Sequence, residues 1–175
     1  MPLRILIVDD HRDYRAWLGH HLAAARPSAL IVGHEPTEQH PLPPGFDASR
    51  WDLIFLDHRL GERDGLELLA ELKSLPGCPP VVFLTPQGDQ QSIVRALQAG
   101  ADDYLAKGRS SHDHIGRVVR EAVRRGRRAP PRKASPSPRG AEPSFRLKGH
   151  RFLKELGSGS TASVYLMEQA LTERL

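Results

Sequence analysis

"LIFLDHRLGERDG", residues 53–65, drives a continuous apolar run straight into a carboxylate and then into a glycine-rich loop. A short unbroken apolar segment bounded by loop residues reads as a strand buried on both faces. Asp57 closes that strand, and hydrophobicity alone would not select an acid there. Working outward from it, the strand begins at Trp51, and four further segments have the same character. They are "LRILIV" (3–8), "ALIVG" (29–33), "PVVFLT" (80–85) and the shorter "ADDYLAK" (101–107).

Helical spacing fills most of the gaps between these strands. Tyr14, Trp17, Leu18, His21, Leu22 and Ala25 recur on one helical face, and Pro27 ends it. Asp64 and Glu67 have capping-box spacing ahead of Leu66, Leu69 and Leu72. Ile93, Val94 and Leu97 lead to a stop at Gly100. Ile115, Val118, Val119, Ala122 and Val123 mark a last helix from about Ser111 to Arg125. Strands alternating with helices imply right-handed crossovers, hence an α/β fold with a doubly wound five-stranded parallel sheet. One crossover breaks the pattern. "HEPTEQHPLPPGFDASR" (34–50) holds four prolines and no apolar stripe, so a loop with at most one or two helical turns is expected there.

The chain's 175 residues allow one ordinary domain and a further segment. Its net charge of +4 describes no single part. Residues 1–108 carry 10 basic against 15 acidic side chains, while residues 109–151 carry 13 against 3. The predicted division is a domain over 2–125, a basic Pro/Ser/Arg linker over 126–149 without periodicity and hence disordered, and a separate segment over 150–175. The single cysteine, Cys78, excludes an internal disulfide and a thiolate zinc cluster, and its place beside Pro79 and Pro80 suggests a buried, inert thiol. No apolar run approaches membrane-spanning length, and "MPLRILIVDD" turns acidic too early for a secretory signal. A cytoplasmic location is expected. The nine histidines, including His20-His21 and His112-x-His114, match no zinc spacing and read as solvated.

Ligands of a parallel α/β sheet collect at the carboxyl ends of its strands. Those ends offer Asp9 and Asp10, then Asp57, Thr85 and Lys107. Two carboxylates about 4 Å apart repel by roughly 4 kcal/mol at an effective dielectric of 20, so the cluster needs a cation. Oxygen ligands suit Mg²⁺. Asp57 then stands as a nucleophile beside a metal, with Lys107 and Thr85 placed to hold phosphoryl oxygens.

Four motifs in order, "ILIVDD", "LIFLDHRLGERDG", "VVFLT" and "GADDYLAK", resemble the receiver domain of two-component response regulators over roughly residues 2–126. The resemblance implies a flavodoxin-like sheet of order 2-1-3-4-5. It implies Asp57 as acceptor of a phosphoryl group from a sensor histidine kinase. Metal binding would fall to Asp9, Asp10, Asp57 and the backbone carbonyl of Arg59. Thr85 and Tyr104 would be the switch pair and Lys107 the lysine. It further implies output, or homodimerisation, through the face that the family builds from its fourth helix, fifth strand and fifth helix. Three positions depart from the family pattern: Gly61 and Gly108 replace prolines, and Pro86 replaces a small residue and removes an N–H.

The tail "HRFLKELGSGSTASVYLMEQ" (150–169) sets Gly157, Gly159, Ala162 and Val164 in the frame G-x-G-x-x-A-x-V. A dinucleotide fingerprint would need a helix after the loop, yet "SVYLME" alternates like a strand. Strand, glycine-rich turn and strand resemble the hairpin that opens a Ser/Thr protein kinase. No H-R-D or D-F-G follows, so the expectation is an incomplete kinase N-lobe, loosely docked or disordered, without kinase activity of its own. Alternatives are a phosphorylation-impaired receiver serving as an interaction module, and an aspartyl-phosphate phosphatase, which Arg59 disfavours because it supplies no general acid. Non-specific nucleic-acid attraction is the ceiling for the basic tail.

Overall fold

The computed structural model describes residues 2–108, 110–128, 150–158 and 163–169, the last two segments by their backbone alone. The five apolar segments become one parallel sheet: β1 (Arg4–Val8), β2 (Leu30–His34), β3 (Leu53–Asp57), β4 (Val81–Thr85) and β5 (Asp103–Ala106). Their order is β2-β1-β3-β4-β5, as the resemblance to receiver domains implies. In register, Ile5 lies between Ile31 and Leu53, Ile54 faces Val81, and Val82 faces Asp103. Every residue of β3 and β4 is buried, which is why both read as unbroken apolar runs.

Side chains alternate between two layers. Ile5, Ile7, Phe55 and Leu84 face the layer of α1 (Arg12–Ala25) and α4 (His112–Arg128). Leu6, Val8, Leu56 and Phe83 face α2 (Gly65–Ser74) and α3 (Gln90–Gln98). Asp64 caps α2 by accepting from the Leu66 N–H at 2.9 Å, and Asp89 caps α3 through the Ser92 N–H at 3.0 Å. Between β2 and β3 there is only one 3-10 turn, Ala48–Arg50. Leu42, Phe46 and Trp51 pack onto the second layer there, so loop side chains cover what a helix would otherwise shield.

Three expectations change. Trp17, which the spacing sets on one helical face with Leu18 and Leu22, is 36% exposed; Leu18 and Leu22 are the fully buried residues of that helix. Trp17 lies at the margin of the stripe and stacks instead on Tyr14, at 5.4 Å, and on His21, at 4.4 Å. The last helix also continues past Arg125 to Arg128. Gly126, read as the first linker residue, lies inside it, where a β-carbon would come within 2.6 Å of Pro80 Cγ. A glycine costs a helix roughly 1 kcal/mol, but here it lets α4 pass against Pro80. Residues 129–149 of the expected linker lie outside the described residues.

The tail forms an antiparallel pair, β6 (His150–Ser158) and β7 (Ser163–Gln169), rather than lacking structure altogether. Gly157 sits opposite Val164, while Gly159 and Ala162 lie outside the described residues. A strand follows the glycine-rich string, so the requirement of a dinucleotide fingerprint for a helix is not met. Among the described residues no helix is long and apolar enough to cross a membrane.

Candidate functional site

The carboxyl ends of β1, β3, β4 and β5 bring the predicted residues to one rim. Asp9, Asp57 and Thr85 are fully buried there. Lys107, just beyond β5, joins them: its Nζ lies 2.7 Å from Asp9 Oδ2 and 2.7 Å from Asp57 Oδ2. The Lys107 N–H donates to the Thr85 carbonyl at 2.8 Å, which fixes the end of β5 against β4 and aims the side chain inward. The ammonium also rests over the Tyr14 ring, 4.6 Å from its centroid.

Each acid has its own local support. Asp9 Oδ1 accepts from the His11 N–H at 2.8 Å, and the Arg15 guanidinium donates to the Asp9 carbonyl at 2.7 Å. Asp10 Oδ2 accepts from the Gly61 N–H at 3.1 Å, while Asp10 Oδ1 meets His11 Nδ1 at 2.6 Å. Asp57 Oδ1 accepts from the His58 N–H at 2.8 Å and lies 2.9 Å from His58 Nδ1. Burial pushes the Asp9 carboxyl above its ordinary value, with the Asp57 charge adding to the effect and the Lys107 hydrogen bond opposing it. Burial acts the same way on Asp10, but the Gly61 N–H and His11 outweigh it and hold Asp10 below its ordinary value. Burial, then the charges of Asp9 and Asp57, pushes the Tyr14 phenol up.

One ligand atom from each of Asp9, Asp10, His11 and Asp57 lies within 4.8 Å of the others. Two buried carboxylates share one lysine, so the cluster retains excess negative charge. Its carboxylate oxygens fit a small hard cation such as Mg²⁺. His11 was not among the predicted residues; nothing in its spacing marks it, and only the fold turns its ring toward Asp10. The Thr85 hydroxyl is buried without a hydrogen-bond partner, which is rare for a native polar group and leaves a donor free for a ligand oxygen. Tyr104 is half-buried on β5, opposite Phe83, and donates its N–H to Asp103 Oδ1 at 2.9 Å. Burial, then Asp103, raises its phenol. Arg59 is exposed in a two-residue antiparallel ladder with Asp64, directly after β3.

The loop after β3 also explains one departure from the family pattern. Gly61 has φ of 68°, which proline cannot adopt, and its N–H is the donor to Asp10. Beside this loop lies an open cleft of about 250 Å³, lined in part by His58, Arg59, Phe83, Ser92 and Arg95.

A receiver fold with an acidic pocket at its strand ends is thus in place. The response regulator receiver domain matches residues 5–118, and the chain belongs to that family. It is 34% identical over 104 residues to the transcriptional regulatory protein SpaR of Bacillus subtilis, covering 59% of this chain and 44% of that one. It is 33% identical over 110 residues to the cyclic di-GMP phosphodiesterase response regulator RpfG of Xanthomonas campestris pv. campestris, covering 61% and 28%. A two-component response regulator from Clostridium difficile superposes with a TM-score of 0.59 at 28% identity, covering 73% of this chain and 99% of that one. The chain therefore spans less than half the length of these two curated relatives.

Proposed function

We propose that this protein accepts a phosphoryl group from the phosphohistidine of a sensor histidine kinase onto Asp57. The observation that carries this reading is the double contact of Lys107 with Asp9 and Asp57, beside a Thr85 hydroxyl that has no other partner. Asp57 is the nucleophile: a carboxylate oxygen bonds to phosphorus as the P–N bond of the donor breaks, and the electron pair goes to the imidazole. Lys107 meets the charge of the transferred group and Thr85 donates to one of its oxygens. Asp9, Asp10, Asp57 and the Arg59 carbonyl are the residues to hold Mg²⁺, which when bound would neutralise phosphoryl charge.

Engagement of Thr85 frees space into which the half-buried Tyr104 ring turns, changing the face of α3, β5 and α4 and any homodimer contact made there. Its output is control of a Ser/Thr kinase in cis, with the receiver domain ending at Arg128 with α4 and joined through 129–149 to a kinase N-lobe beginning near residue 150. The antiparallel hairpin β6–β7, with Gly157 opposite Val164, supports this arrangement. A cytoplasmic setting suits a histidine-kinase partner.

Pro86 favours a second reading. It lacks the N–H that a small residue would offer beside Thr85, so a phosphorylation-impaired receiver acting through its surface alone is the competing case. Intact mass after incubation with acetyl phosphate and Mg²⁺ separates the two. One added phosphoryl unit on wild type and none on Asp57→Asn supports transfer; an unchanged wild type supports the second reading.

A further inference from the structure

His58 follows the acceptor directly and folds back on it. Its backbone N–H and its ring Nδ1 reach the same carboxylate oxygen, Asp57 Oδ1, at 2.8 Å and 2.9 Å. An ionised carboxylate can only accept, so Nδ1 carries the proton in this contact. The other oxygen, Oδ2, faces Lys107 at 2.7 Å. The two oxygens are therefore sorted: one is held by residue 58, the other is aimed into the cluster. The imidazole is mostly buried, with 23% of its side chain exposed, and it forms part of the wall of the adjoining cleft.

We propose that His58 is a positioning residue that shortens the life of the phosphorylated state, because its ring donor stabilises the free Asp57 carboxylate more than the acyl phosphate. The inference rests on the receiver reading above. When Oδ2 bonds to phosphorus and the donor's leaving group departs with its electron pair, Oδ1 becomes a neutral carbonyl oxygen. The bond from His58 then changes from charge-assisted to neutral, and charge-assisted bonds are about twice as strong. In hydrolysis, water oxygen attacks phosphorus, the P–Oδ2 bond breaks, and its electron pair returns to the carboxylate. Both protons of the water leave with inorganic phosphate. Negative charge thus reappears on a group toward which two donors already point, so no reorganisation is needed to stabilise it. The same bonds make the free carboxylate a poorer nucleophile, so His58 acts against phosphorylation in both directions.

The experiment uses the full chain, phosphorylated with acetyl phosphate and Mg²⁺, then freed of donor and followed by intact mass. His58→Phe keeps the bulk and removes the donor; His58→Asn returns an amide N–H near the position of Nδ1. His58→Leu serves the same comparison where the larger ring disturbs folding. The expected lifetime is roughly three- to tenfold longer for His58→Phe or His58→Leu and close to wild type for His58→Asn, the span set by the difference between a charged and a neutral hydrogen bond. Lifetimes are compared at saturating Mg²⁺, the concentration set for each variant by tryptophan fluorescence, because His58 touches Asp57, which the reading above makes a metal ligand. Equal lifetimes in a phosphorylated wild type and His58→Phe, or an Asn variant as long-lived as Phe, would overturn the inference while leaving the receiver reading intact. A wild type that takes no phosphoryl group would overturn both.

Discussion

Gly65 passes so close to Asp57 that a β-carbon at position 65 would lie 1.9 Å from the Asp57 carbonyl oxygen. The first residue of α2 is thereby pressed against the end of β3, and the Gly65 N–H donates to the next carbonyl, that of His58, at 2.8 Å. The obstacle is backbone rather than a side chain that could turn aside. Gly65→Ala should therefore cost at least 1–3 kcal/mol, roughly the range for forcing extra atoms into a packed site. Chemical denaturation would show a lowered midpoint; an unchanged midpoint would mean that the loop yields freely.

Gly61 tests a different constraint. Nothing lies within 4 Å of the place its β-carbon would occupy, so Gly61→Ala meets only the conformational penalty of φ 68°, roughly 1–2 kcal/mol. Gly61→Pro cannot adopt that φ and also loses the N–H to Asp10. Thermal unfolding should rank wild type above Gly61→Ala and Gly61→Ala above Gly61→Pro. A proline variant as stable as wild type would show that the loop readily takes another path.

Thr85 separates folding from function. Its buried hydroxyl has no partner, so the isosteric Thr85→Val should leave stability within about 1 kcal/mol of wild type, or raise it. Phosphorylation by acetyl phosphate should nonetheless slow. A marked loss of stability would reveal a partner for the hydroxyl that the fold does not otherwise show.

Asp89 gives a pH-dependent expectation. Hydrogen bonds from the Ser92 side chain and then the Ser92 N–H hold its carboxyl below the ordinary value of 3.8. A depressed folded-state value contributes stability above the unfolded value, and that stability is lost as pH falls through the folded one. Asp89→Ala should cost no more than about 1 kcal/mol near neutrality, since this helix cap is partly exposed to solvent. The difference from wild type should fade on acidification below pH 3.8. A difference that persists in acid would point to packing rather than capping.

The sheet was legible because strands buried on both faces carry an unbroken apolar signal, and their ends list the residues of one rim. Asp9, Asp10, Asp57, Thr85 and Lys107 could be read together for that reason. The proline-rich second crossover was equally plain, since four prolines leave no helical stripe. What escaped depends on neighbours in space. Gly65 and Gly126 look like ordinary loop glycines until Asp57 and Pro80 lie against them. His11 and His58 stand beside acids in sequence, but only the backbone's turn directs both rings at carboxylates. Trp17 has helical spacing without full burial, because the stripe's margin faces His21 and solvent.

Locating the transferred group tests the central claim most directly. Borohydride reduction converts an aspartyl phosphate to homoserine, so the phosphorylated chain can be reduced, fragmented and sequenced by mass. Homoserine at residue 57, with Asp9 and Asp10 unaltered, is the predicted result. Homoserine at either of those acids, or a phosphoryl group found on His11 or His58 instead, would contradict it.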